Sequence, residues 1–514
     1  MKSFLIQLLL SVFILPVMAQ TFTVDKGKEF TPPDASKWGG FAGENTDSFF
    51  LLRVRTKGRG TRYFVEGISK TTKDKKFETE LPLEEEAGVA LDPVNLDMRV
   101  MCSNEKVYVF FKGFVKEEKI TKYFVKTLHA DGKPGSLKEI VSGDSKLDIN
   151  FYQSPDKTKI LSIQTKEWES NRQVVLATMY NASDFSILWN KPMPDEYKSS
   201  PIQTFYYHVD NKGGVYFMMN YIEQEEPRII GKGMGFYAGK DKAKLLVFPN
   251  KSDFTIDNAI GRIAEDGRFI YSGLYKHTPK TDEEKLKSLS RKEQAKYKKE
   301  IADQKTVGIF SYVADLSTST VVSNNQAFPP EVSSKLDYAG GLLTAGAANK
   351  YYTASKLVEM DGSFYLIENH NYTISGEGVA HYEREFIITK INKAGSISWT
   401  KIFPKYTVNN LNTFNLMVHN SKLYLFYLEH PKNLEKSIEN YDPVRYADIK
   451  NYNGSVVVSL EIDDDGSAVR KQIFENKGWC YDPQPFNILL EKDNSLLFRM
   501  INRDEERFDV LKVQ

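Results

Sequence analysis

Apolar and polar residues alternate along this chain in short bursts, each opened by a turn of small polar residues. "RIAEDGRFIYSGL" (262–274), "VEMDGSFYLIE" (358–368) and "HVDNKGGVYFMM" (208–219) show the pattern plainly. "YQSPDKTKILSI" (152–163), "MCSNEKVYVFF", "VHNSKLYLFYL", "LEKDNSLLFRM" and "GENTDSFFLLRV" repeat it. An Asp/Asn/Gly/Ser turn followed by period-two apolar residues is the signature of a β-hairpin, because side chains on a strand alternate between faces. A second hairpin follows each of the first, opened by "YFVEGI", "YFVKTL", "VVLATM", "GMGFYA", "GIFSYV", "FIITKI", "VVVSLEI" or "FDVLKV".

Two hairpins make four strands, and the unit recurs about every fifty residues, which is the period of a β-propeller blade. The second strands are expected to begin near 49, 106, 158, 214, 268, 363, 421 and 495, giving eight blades in an all-β fold. A seven-bladed ring is the alternative, since the first and last units are the least regular. The last unit reaches Gln514 after three strands, and "TFTVDKGKEF" (21–30) is a strand without a local partner. Pairing the two would complete the final blade, close the ring and remove two exposed sheet edges.

Two segments share a further cadence, "YNASDFSILWNKPM" (180–193) and "INKAGSISWTKIF" (391–403), placing Trp189 and Trp399 at equivalent points of a fourth strand. Gly395-x-x-x-Trp399 resembles the tail of the tryptophan-docking repeat of PQQ-type eight-bladed propellers, over two of the eight repeats and with Phe185 where one glycine would stand. The resemblance implies an indole packed between neighbouring blades. It implies no quinone, because the adjacent cysteine pair of those dehydrogenases is missing from this sequence, and no cofactor is expected. "SPDKTKILSI" resembles the Ser-Pro-Asp repeat of periplasmic TolB-like propellers, in one copy that marks a fold and not a chemistry. Across most of its length the chain resembles the secreted, uncharacterised propellers of Bacteroidota in architecture, a resemblance that implies no catalytic residues.

Residues 1–19 read as a secretory leader, with Lys2 as the positive start, an apolar run from Phe4 to Val17 and small residues before Gln20. A single propeller domain over 20–514 is expected, secreted across the inner membrane to the periplasm or cell surface. No cysteine follows the leader to carry a lipid, and no later segment is apolar for long enough to cross a bilayer. The 69 basic and 68 acidic side chains cancel to +1, which leaves no general field to draw in nucleic acid. Cys102 and Cys480 are the two cysteines, and their spacing does not decide whether they join.

The connections carry the candidate chemistry. Those between second and third strands, and those between blades, emerge on one face of a propeller. On that face blades five, six and seven are expected to swell, at 276–306, 369–385 and 429–454, beside a long blade connection at 329–350. The first swelling holds two capping boxes, Thr281-x-x-Glu284 and Ser290-x-x-Glu293, which predict a helical hairpin over about 281–305. The others supply His370, Tyr372, His381, Tyr382, Glu383, Tyr441, Asp442 and Arg445, to which the connection "GWCYDPQPF" adds Trp479 and Tyr481. Aromatic rings among acids and amides suit a peptide or glycan groove, where flat faces cover apolar surface and polar tips fix orientation.

These residues point to a binding module or scaffold for a protein or glycan of the cell envelope. The alternative is a carbohydrate-active hydrolase or lyase pairing Glu383 or Glu385 with Asp442 on the same face. No residue is assigned a catalytic role and no metal site is expected. "EIDDDGSAV" (461–469) lacks the later oxygen donors of a calcium loop and reads as a solvated turn.

Overall fold

A computed structural model of the chain describes residues 22–32, 36–57, 60–91, 98–103, 106–115, 117–143, 147–169, 172–193, 201–224, 229–239, 241, 243–249, 254–277, 283–302, 306–341, 348–375, 379–408, 414–442, 447, 449, 454–481, 488–490, 495–502 and 505–513. The leader expected at 1–19 lies outside the described residues.

The strands form eight antiparallel sheets arranged as the blades of a propeller. Seven are four-stranded and strictly sequential: blade 1 (36–81), blade 2 (99–143), blade 3 (148–193), blade 4 (201–247), blade 5 (254–327), blade 6 (348–408) and blade 7 (415–475). Blade 8 combines strands from 480–513 with the N-terminal strand Phe22–Asp25 on its outside. That strand pairs antiparallel with Glu505–Val513, Phe22 opposite Val513 and Asp25 opposite Val510. The eight-bladed ring closed by its N-terminal strand is thus the observed fold.

The second strand of each blade is apolar on both faces, because each face meets a different neighbour. In Lys422–Glu429, Leu423, Leu425 and Tyr427 pack with Tyr365, Ile367, Phe386 and Ile388 of blade 6. Their alternates Tyr424, Phe426 and Leu428 pack with Leu496, Phe498 and Met500 of blade 8. Outer strands meet water along one edge and return to alternation, as in Pro134–Gly143 of blade 2. Burying one such aromatic or aliphatic side chain contributes about 1.5–3 kcal/mol, so the inter-blade layers are the core of the protein.

A repeated contact locks neighbouring blades on the face of the short turns. A side chain on the outer strand of one blade donates to a backbone carbonyl in the third-to-fourth-strand turn of the next. Thr79 Oγ1 donates to the Gly132 carbonyl at 2.6 Å, Lys138 Nζ to that of Phe185 at 3.0 Å, and Lys191 Nζ to that of Asp241. Asn324 Nδ2 donates to the Gly395 carbonyl at 3.0 Å and Trp399 Nε1 to that of Asp464 at 3.0 Å. Trp399 also meets Tyr365 edge-on at 5.9 Å, and a Cβ on Gly466 would come within 3.0 Å of its ring. It is a packing residue between blades 6 and 7. The Asp463–Asp465 turn is more than a solvated hairpin: Asp464 Oδ1 accepts from Tyr365 Oη at 2.9 Å and from Lys390 Nζ, tying blade 7 to blade 6.

Ring closure rests on a buried ionic network. Arg53 of blade 1 is fully buried and donates through Nε to Glu66 at 2.7 Å and through Nη1 and Nη2 to Glu506 of blade 8 at 3.1 and 2.6 Å. Lys75 reaches the other oxygen of Glu66 at 2.8 Å, and Arg499 also engages Glu506. The N-terminal segment covers this network: Phe30 and Glu506 exchange both backbone hydrogen bonds, and the Phe30 ring lies 5.7 Å from the Arg53 guanidinium. Cys102 is buried and carries a free thiol, pushed up to about 12 by desolvation.

Candidate functional site

The elaborations gather where the connections predict them, on one face of blades 5 to 7, but they are built differently from loops. Blade 5 carries two helices, Glu283–Ser288 and Arg291–Ala302. The second is opened by its capping box: Glu293 Oε2 accepts from Ser290 N at 2.9 Å and Ser290 Oγ at 2.6 Å. A third helix, Pro330–Gly341, occupies the connection to blade 6. Blade 6 has no loop at 369–375 or 379–385. Its second and third strands instead run on to thirteen residues each, Ser363–Ser375 and Val379–Ile391, and lengthen the sheet.

At the root of that extension the pairing register shifts between His370/Asn371 and again between Glu383/Glu385. Such a bulge re-aims side chains locally. His370 Nδ1 and Glu385 Oε2 lie 2.6 Å apart, and Tyr406 Oη donates to Glu385 Oε1 at 3.1 Å. His370 is 0% and Glu385 2% exposed, so this trio sits within the wall of the propeller. Lys405 forms a second buried pair, with Glu383, flanked by the rings of Phe386 at 5.1 Å and Phe414 at 5.7 Å. Desolvation pulls Lys405 below the usual lysine range, against the opposing pull of Glu383.

The helix Pro330–Gly341 roofs this region, its Val332 and Leu336 packing in one cluster with Tyr406 and Tyr441. Lys335 Nζ lies 4.2 Å from the centre of the Tyr441 ring, a cation–π contact that fastens the blade 7 connection beneath the helix. Arg384 bridges the rings of Tyr382 and Tyr406 at 5.0 and 4.7 Å. The blade 7 connection is locked further along by Glu429, which accepts from Arg470 Nη1 at 2.8 Å and Asn433 Nδ2 at 2.7 Å. Asn433 in turn accepts from Ala447 N at 2.9 Å and donates to its carbonyl at 2.9 Å.

The expected site residues are therefore distributed by role. His370, Glu383 and Tyr441 are buried and hold the platform together, where a solvent-lined groove would need them open. Tyr382 is half-buried and Asp442 exposed. Tyr372 pairs with Tyr382 across the extended hairpin, and His381 pairs with Thr373, placing both in the projecting sheet. Trp479 belongs to a different neighbourhood, stacked under Arg507 of blade 8 at 4.4 Å, and Tyr481 pairs with Met500 there. Arg445 lies outside the described residues. Among the described residues, no group of three or more His, Cys, Asp or Glu side chains could hold a metal ion.

Sequence reasoning did not foresee the partners of these charges. Glu429, Asn433 and Arg470 lie up to 41 residues apart, and Arg53 and Glu506 lie 453 apart, so no local spacing announces them. The one available signal was the presence of Arg53, Glu66 and Arg470 inside strand segments, where a charge must find a partner or face water.

No family model matches the sequence, and no curated protein does. Solved structures do, with 177 chains similar in fold. They include the β-propeller domain of the Trilobed protease from Pyrococcus furiosus, 11% identical, covering 89% of this chain and 100% of that one at a TM-score of 0.35. The Dos1 propeller is 8% identical over 95% of this chain and 94% of its own, with a TM-score of 0.40. The GH93 α-L-arabinofuranosidase of Fusarium graminearum, solved with arabinobiose, is 11% identical over 62% of this chain and 84% of its own, with a TM-score of 0.29. Similarity this distant leaves the architecture to the strand pairing described above and function to the site itself.

Proposed function

We propose that this chain is a secreted propeller, with its leader at 1–19 and one domain over 20–514, that acts as a binding scaffold in the periplasm or at the cell surface. The observation that carries the proposal is the adjacency of its elaborations. The helical hairpin of blade 5, the helix Pro330–Gly341, the lengthened hairpin of blade 6 and the pinned connection of blade 7 rise side by side on one face. Buried pairs at His370–Glu385 and Lys405–Glu383 stiffen the base of that platform. Rigid, preorganised surfaces lose little freedom on association, which favours a contact role.

An envelope protein suits this face better than a glycan. Its outward surface is broad, helical and of mixed charge, with Lys285, Lys287, Arg291, Lys292 and Glu293 along the hairpin. Tyr372, His381, Tyr382, Asp442 and Arg445 would supply contacts, with Trp479 and Tyr481 at the border towards blade 8. A hydrolase built on Glu383 or Glu385 is less well supported, because both carboxylates are buried and engaged by Lys405, His370 and Tyr406.

The test is quantitative cross-linking and affinity capture from envelope fractions, comparing the intact protein with one in which a short Gly-Ser linker replaces 281–305. None of the described side chains of that hairpin is buried. The ring should therefore melt within about 2 °C of the parent, since surface changes stay near ±0.5 kcal/mol, while at least one captured envelope protein disappears. Identical captured sets would defeat the assignment.

A further inference from the structure

The face opposite the platform, formed by the short turns, contains an open cleft of about 530 Å³ where blades 4, 5 and 6 meet. Tyr216 and Phe236 of blade 4 wall one side, their ring centres 4.4 Å apart. Asp266 and Arg268, from the first turn of blade 5, Asp315 from its last turn and Lys393 from blade 6 provide the polar groups.

The turn of blade 5 that borders the cleft repeats one in blade 3, with different side chains. In blade 3, Asn181 Oδ1 accepts from Ser183 N at 3.0 Å and the turn ends in Phe185, held left-handed at φ 59°. Blade 5 makes the same turn: Asp315 Oδ1 accepts from Ser317 N at 2.8 Å and the left-handed residue is Ser319, at φ 54°. The Phe185 ring packs back on blade 2, 6.0 Å from Tyr108 and 5.8 Å from Phe110. Tyr108 and Tyr216 hold the same place in their second strands, Lys106–Val115 and Gly214–Gln224. Ser319 therefore presents a hydroxymethyl group where blade 3 presents a phenyl ring. Tyr216 is covered instead by Phe236 and packs with Leu316 in one apolar cluster, and the cleft opens beside these rings among Asp266, Arg268, Asp315, Ser317 and Lys393.

We propose that this cleft binds a neutral sugar ring, a monosaccharide unit or the end of a glycan chain, at a site separate from the platform. The volume falls in the range of small-molecule sites, and an aromatic wall beside a few fixed polar groups is the arrangement that grips a pyranose by its C–H face and hydroxyls. Charge selects the class. Two carboxylates and two cations cancel across the cleft, which gives neither an anion nor a polyamine a net attraction. Asp266 is held by Arg268, which donates from its backbone N at 3.2 Å to Oδ1 and from Nε at 3.0 and 2.9 Å to its two oxygens, with Nη2 2.8 Å from Oδ2, so the carboxylate is fixed in orientation. Hydrogen bonding from Arg268 also lowers the Asp266 pKa, keeping it ionised at neutral pH.

Saturation-transfer NMR with methyl glycosides of glucose, galactose, mannose, arabinose and N-acetylglucosamine tests this, with inorganic phosphate and spermidine as charged controls. At least one glycoside should bind at millimolar concentration, with saturation concentrated on its ring protons. Ser317→Trp should fill the cleft from within its own lining and abolish the signal. Asp315→Asn keeps the turn, as Asn181 shows, and should weaken binding about tenfold by removing a charged acceptor. Both variants should capture the platform's protein partner as the parent does, which separates failure here from failure of the scaffold reading. The proposal falls if no glycoside binds, if the Asp315→Asn variant, verified as folded by its melting curve, binds as the parent does, or if phosphate or spermidine binds in their place.

Discussion

Phe185 shows how one side chain can carry a conformation its backbone resists. A bulky residue at φ 59° is held against a preference worth roughly 1–2 kcal/mol. Its ring offsets that cost by stacking on Tyr180 at 4.3 Å and filling the core between blades 2 and 3. Two substitutions separate the opposing terms. Phe185→Ala retains the strain and loses the ring, and should destabilise the protein by about 3–5 kcal/mol. Phe185→Gly loses the ring but relieves the strain, and should be milder by about 1 kcal/mol. Denaturant midpoints of the two variants check the order; the reverse order would mean the left-handed geometry is not strained in this turn.

Among the elements, the closure between blades 1 and 8 is the most dependent on charge. Desolvation would raise the Glu506 pKa, but hydrogen bonds and charge from Arg53 and Arg499 outweigh it and bring it below the ordinary carboxylate value. A carboxylate depressed in the folded state contributes stability that is fully present above its unfolded pKa, about 4.3, and is lost as pH falls through its folded value. Glu506→Gln should therefore cost about 3–5 kcal/mol at pH 7, by leaving buried Arg53 short of a counter-charge. The gap between parent and variant melting temperatures should narrow as pH drops from 5 towards 3. Asp509 shifts the opposite way through burial, and comparing parent with variant cancels its contribution. A gap that stays constant with pH would show that the network does not depend on ionised Glu506. This element also marks the limit of what the chain reveals by itself. The eight second strands and the closing strand are legible because their alternation is local. Arg53 and Glu506 carry no mark of their pairing, because it is made by the closure of the ring. The candidate site divides in the same way. The capping box at Ser290–Glu293 is visible in four residues, whereas the burial of His370 depends on two register shifts and on a helix packed over it from the preceding connection.

At the scale of the whole molecule, the ring reconciles a monotonous scaffold with two unlike faces. Seven blades of identical topology repeat around the axis, while additions to adjacent blades build a platform on one side and the turns of blades 4 to 6 frame a cleft on the other. The same closure has a consequence in time. Gly27 N donates to Asp509 Oδ1 across a sequence separation of 482, so blade 8 cannot be completed until the strand Glu505–Val513 is available. Contacts between such remote segments are slow to form, because most of the chain must be ordered before they reward it. Until then the strand Glu505–Val513 has an open hydrogen-bonding edge, an invitation to pair with another molecule. Moving residues 22–32 to follow Val513 through a short hairpin would leave the sheet as it is and make its final pairing local. Such a rearranged chain should melt within a few degrees of the parent but refold several-fold faster and with less aggregation, as followed by stopped-flow fluorescence and light scattering. Equal refolding rates would place the slow step elsewhere in the ring. In the natural order, the chain's first strand finds its place only when its last one arrives.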